Sequence, residues 1–123
     1  AKKSNLDLNK TYKGIKISSG NSFVHETESQ VILNGSYNIN FTMDLVEKDM
    51  TLFNNLSKKI GAALEISPLV LNIFKDGRDK FGPRAWSSMI VKRMEDKCNI
   101  NFRAEGFPAE LVDNEPKDKG YEI

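Results

Sequence analysis

Ser67-Pro68-Leu69-Val70-Leu71-Asn72-Ile73-Phe74 is the stretch on which the fold turns. Leu69–Phe74 is an apolar run without polar alternation, which is how a strand buried on both faces looks. Ser67-Pro68 in front of it also suits a helix start, with a capping hydroxyl followed by Pro at the first helical position. The strand is preferred, because Lys75–Pro83 carries Gly77, Gly82 and Pro83 and would break a helix soon after.

Working outward, the preceding segment Glu47–Leu64 reads as a helix. Leu52, Phe53, Leu56, Ile60, Ala63 and Leu64 fall at helical spacing, and Lys48, Asp49, Asn55, Lys58 and Lys59 face out. Before it, Asn38–Asp44 alternates Ile39, Phe41 and Met43 with Asn40 and Thr42, the pattern of a half-buried strand. Earlier still, Thr11–Ile17, Ser22–Glu26 and Val31–Leu33 are strand candidates. They are separated by the turn Ser18-Ser19-Gly20-Asn21 and closed by Asn34-Gly35, a dipeptide suited to positive φ. Downstream, Pro83 opens a helix Arg84–Met94 with Ala85, Trp86, Met89 and Ile90 on one stripe. Cys98–Phe102 alternates as a strand, and Ala109–Val112 forms one more helical turn. The expected fold class is α/β: an N-terminal β-hairpin region followed by a β-α-β-α-β core, with a mixed sheet packed by two main helices. One domain spans 1–123, with 1–10 and 113–123 expected to be mobile.

Formal net charge is only +1, so no field over the whole molecule commits it to nucleic acid or to a membrane. No apolar run approaches the roughly 18–20 residues of a membrane span, and the basic start Ala1–Asn5 lacks the apolar segment of a signal peptide. Cys98 is the only cysteine, and a lone thiol suits a reducing, cytoplasmic setting.

One His and one Cys cannot supply a zinc set, and no carboxylate run has calcium-loop spacing, so no metal is expected. His25, beside Glu26 and Glu28, reads as a structural histidine, and Cys98 as a small hydrophobe on a strand face. Gly77 and Gly82 do not make a phosphate loop, since neither a Gly-Lys-Ser/Thr ending nor a Gly-x-Gly-x-x-Gly run is present. No cofactor and no enzymatic activity are expected.

The connection after Leu69–Phe74 is the candidate site, because ligands of open α/β sheets gather at the carboxyl ends of strands. Lys75, Arg78, Lys80, Arg84, Lys92 and Arg93 stand there against Asp76 and Asp79, a local +4, with Phe81 and Trp86 interleaved. Trp86 also fits a core position on its helix, and Lys92 and Arg93 fit a helix C-terminus.

The order of elements from Asn38 to Phe102 resembles the STAS family of anti-sigma-factor antagonists and related regulators. In that family the loop after the central strand carries a phosphorylation motif with a hydroxyl residue. The corresponding Asp79-Lys80-Phe81-Gly82-Pro83-Arg84 has none, and Ser87 and Ser88 come a turn later. The strand–loop–helix placement and the absence of catalytic residues point to a non-enzymatic regulatory or interaction module docking a protein partner through 75–88. Lys75, Arg78, Lys80, Phe81 and Arg84 would be its contact residues. The alternative is a nucleic-acid-binding protein using the patch 75–93, phosphates meeting the cations and bases stacking on rings.

Overall fold

In the computed structural model, which describes residues 1–113 and Gly120, the chain is helical. A 3-10 turn at Lys2–Ser4 leads into α1 (Leu8–Lys16), α2 (Phe23–Asn34), α3 (Met43–Ile60) and α4 (Ile66–Phe81). A second 3-10 turn, Ser87–Val91, runs directly into α5 (Lys92–Cys98). The described residues contain no strand; the single isolated bridge joins Thr42 to Trp86. The expected α/β class and its mixed sheet are therefore overturned.

The errors share one physical origin. Short apolar runs satisfy a strand and a helix alike, and caps decide between them. Asp7 accepts from the Lys10 amide at 2.8 Å, so Thr11–Lys16 is helical with Ile17 as the C-cap, and Leu8, Tyr12 and Ile15 share one face at i, i+4 and i+7. Ser22 caps α2 through the His25 amide at 3.0 Å, which turns both Ser22–Glu26 and Val31–Leu33 into one helix. Asn34-Gly35 does take positive φ, but as the C-cap of α2, where Gly35 stands at φ 95°. Asn38–Phe41 is irregular, and Met43 already opens α3.

Leu69–Phe74 lies inside α4. Gly77 does not break that helix, because it is a contact glycine: a Cβ there would meet Ile90 Cδ1 at 2.5 Å. Its helix cost of about 1 kcal/mol is offset by the close approach of the 3-10 turn and Met43. Gly82, at φ 96°, ends the helix one residue later than Phe81. Arg84–Met94 splits between the 3-10 turn and α5, and Cys98–Phe102 is the end of α5 followed by coil rather than a strand. Ala109–Val112 is irregular as well. Of the tail 113–123, only Asp113 and Gly120 fall within the described residues.

The apolar core is small: Val31, Leu33, Tyr37, Ile39, Met43 and Leu71, with Val31 and Met43 fully enclosed. The face of α3 turned inward carries Asn54 and Ser57, both buried, and the Asn54 amide ties α3 to α4 by donating to Ser67 Oγ at 3.0 Å. The expected inner stripe points the other way. Leu52, Phe53, Leu56 and Ile60 are more than half exposed, as are Ile66 and Leu69 of α4. Among the described residues, no helix is long and apolar enough to cross a membrane.

Candidate functional site

The connection Gly82–Trp86 folds back over the start of α3. The amides of Met43 and Asp44 donate to the carbonyls of Ala85 and Pro83 at 2.9 and 3.0 Å, and the Ser87 amide donates to Phe41 O at 2.8 Å. These bonds satisfy amides that a helix leaves orphaned at its N-terminus. Thr42 is the N-cap residue, but its hydroxyl donates to Asp44 Oδ1 instead of capping. Asp44 Oδ1 also accepts from the Leu45 amide at 2.9 Å, and Oδ2 accepts from Arg84 at 3.2 Å. The Thr42 hydroxyl first, and then Arg84, hold the Asp44 carboxyl below its ordinary range against the opposing effect of burial.

The five residues picked from the sequence differ in how far they are open and paired. Lys75, Arg78, Lys80 and Phe81 sit on the last two turns of α4, and Arg84 lies beyond the cap. Arg78 is engaged on two sides, by Glu47 at 2.6 Å and Asp79 at 2.8 Å. Phe81 is half-buried, and so is Trp86. Arg84 is the most open of the paired cations, with its side chain 75% exposed and one nitrogen on Asp44. Lys75 and Lys80 make no ion pair among the described residues.

The +4 count also changes in three dimensions. Arg93 pairs with Asp76, and Lys92 approaches Glu95 at 4.0 Å. Asp44, Glu47 and Glu95 come from outside the connection, so five carboxylates meet four of the six cations. The tertiary fold brings Asp44 and Glu47 there from 40 and 31 positions away, so a count along the chain misses them.

Sequence reasoning also missed a buried cluster on the far side of the 3-10 turn. Glu95, 2% exposed, accepts from the Tyr37 hydroxyl at 2.8 Å, the Phe102 amide at 2.7 Å and Arg103 at 2.8 Å. Burial alone would push this carboxyl up. The Phe102 amide, the Tyr37 hydroxyl and Arg103 outweigh it and hold the group below its ordinary range. No local signal marks these residues, because their partners lie up to 66 positions away. Among the described residues, no group of three or more His, Cys, Asp or Glu side chains could hold a metal ion.

The described fold is thus a helical domain in which Lys80 and Arg84 stand exposed where α4 stops and α3 starts. The family described as NAD-binding of NADP-dependent 3-hydroxyisobutyrate dehydrogenase matches residues 1–94, and the chain belongs to that family. No curated protein matches the chain. The match overturns the STAS resemblance, whose strands the structure lacks as well. It also replaces the non-enzymatic regulatory module, and the nucleic-acid-binding alternative, with a family of dehydrogenase type.

A dinucleotide needs a clamp for its pyrophosphate, usually a Gly-rich turn between a strand and a helix N-terminus. The described residues have no such strand, and the first amides of α3 are spent on Ala85 and Pro83. The chain therefore does not fit a complete dinucleotide site. It offers side-chain cations at the α4–α3 end.

Proposed function

We propose that this chain is a helical part of an NADP-dependent hydroxy-acid dehydrogenase of the 3-hydroxyisobutyrate type, contributing to the cofactor site without enclosing it. The observation that carries this is the family match over residues 1–94. The open cations Arg84 and Lys80, with Lys75 one turn back, are the groups suited to a phosphate, since Arg84 gives up only one nitrogen to Asp44. NADP differs from NAD by a 2′-phosphate, so these cations favour the phosphorylated cofactor. The pyrophosphate clamp then comes from a nucleotide-binding part of the enzyme. That part would be the protein partner, covering the outward apolar face of α3 and α4 at Leu52, Leu56, Ile60 and Leu69 rather than docking through 75–88. A cytoplasmic setting belongs to the same proposal, because Cys98 has no second cysteine to pair with.

The test is saturation-transfer NMR of NADP and NAD on this chain. Transfer to NADP protons that exceeds transfer to NAD, and that disappears in Lys80→Glu/Arg84→Glu, is the expected result. Absence of transfer to either nucleotide overturns the proposal.

A further inference from the structure

Away from the cationic end, α1 and α2 flank an open cleft of about 240 Å³, which Val91 and Phe102 also line. Leu8, Ile15, Ile32 and Leu33 make most of its surface apolar, and Tyr12, His25 and Ser29 form a polar edge. His25 Nε2 lies 3.0 Å from the Tyr12 carbonyl, and Nδ1 lies 3.2 Å from Ser29 Oγ. A carbonyl can only accept, so Nε2 carries the hydrogen. In the neutral imidazole Nδ1 is then bare, and the Ser29 hydroxyl must donate to it. The chain of bonds fixes Ser29 with its hydrogen turned toward His25 and its lone pairs left for another donor. The Tyr12 hydroxyl is committed in the same way, donating to Glu26 O at 3.0 Å. Tyr12 is itself held between His25, with ring centres 4.9 Å apart, and the edge of Phe107 at 5.1 Å.

We propose that this cleft is a binding site for a small, mainly apolar molecule carrying one hydroxyl or amine donor. The apolar walls and the few convergent polar groups are what a small-ligand pocket requires. An apolar cavity of about 150 Å³ already accepts benzene, so this volume takes a monocyclic compound with a substituent. The polar edge offers acceptors, so the ligand supplies the donor. The site is independent of the cofactor contacts proposed above, which lie at the α4–α3 end.

Phenol and toluene are the probes, titrated onto the whole chain and followed by amide chemical shifts. Saturable shifts confined to Tyr12, His25, Ser29 and Ile32, with phenol binding about fivefold more tightly than toluene, are expected. Ile32→Phe and, from the opposite wall, Leu8→Phe fill the cleft and abolish both sets of shifts, with circular dichroism confirming that the helices persist. Equal affinity for the two probes overturns the assignment of a donor-bearing ligand. No saturable shift in the wild-type chain, or shifts spread over the exposed α3–α4 face, overturns the site.

Discussion

Tyr37 and Glu95 stand 58 residues apart in the chain, yet the Tyr37 hydroxyl donates to Glu95 Oε2 at 2.8 Å in the interior. Arg103 closes the set, reaching Glu95 Oε1 at 2.8 Å and the Tyr37 hydroxyl through its other terminal nitrogen. The segment after α2, α5 and the chain beyond it are thereby fastened at one point. Removing one member of a buried charge pair leaves the other uncompensated. Glu95→Ala should cost about 3–5 kcal/mol, and Tyr37→Phe about 1–3 kcal/mol for a hydrogen bond to a charged group. Urea unfolding of both single variants and the double variant measures this, and the cycle should show strong coupling.

Gly35 sits beside the same cluster. At φ 95° it is left-handed, and a Cβ there would run into Arg103 Nε. Gly35→Ala should therefore lose about 1–2 kcal/mol from backbone strain alone, with a further loss as Arg103 is displaced. The variant should also weaken the coupling between Tyr37 and Glu95 in the cycle above.

The carboxylates set the pH response. Glu26 is held low by Lys16 and Asn21, Asp44 by Thr42 and Arg84, Asp76 by Arg93, and Glu95 by its three donors despite burial. For each, the unfolded chain binds protons more readily, so stability is present above the ordinary carboxylate pKa of about 4 and is lost as pH falls below it. Glu28 opposes them, since burial raises its pKa and the native state binds its proton more tightly. Glu28→Gln should raise the melting temperature at pH 7, and the gain should vanish below about pH 4. Melting curves from pH 7 to pH 3 check both statements.

The outward stripe of α3 makes a sharper contrast with ordinary helices. Leu56, 53% exposed, lies on the side away from α4. Leu56→Lys should change unfolding free energy by no more than about 0.5 kcal/mol, whereas Asn54→Leu, on the buried side, should destabilise by about 1–3 kcal/mol because the Ser67 hydroxyl loses its donor. Equal effects of the two would contradict the orientation of the helix.

Local sequence chemistry caps and ends the helices, although the reading along the chain ran α3 past Gly61 to Leu64 and took Gly35 for a turn between strands. Gly35, Gly61 and Gly82 end α2, α3 and α4, and Asp7 and Ser22 cap α1 and α2 through side chains close in sequence. These are local signals, because a cap bonds residues within a turn of itself. Period alone led to strands at Thr11–Ile17, Val31–Leu33 and Leu69–Phe74, wrongly, since a few apolar residues in a row fit either backbone. Tertiary structure decided the rest. Gly77 is a helix interior because Ile90 and Met43 pack against it, and the α3 stripe faces out because Asn54 and Ser57 hold the side toward α4. Of the five picked residues, Arg78 and Arg84 gain carboxylate partners from α3, while Tyr37, Glu95 and Arg103 were silent until the fold joined them. Coulomb forces and hydrogen bonds act over a few ångströms of space, and chain distance does not reveal which side chains meet there.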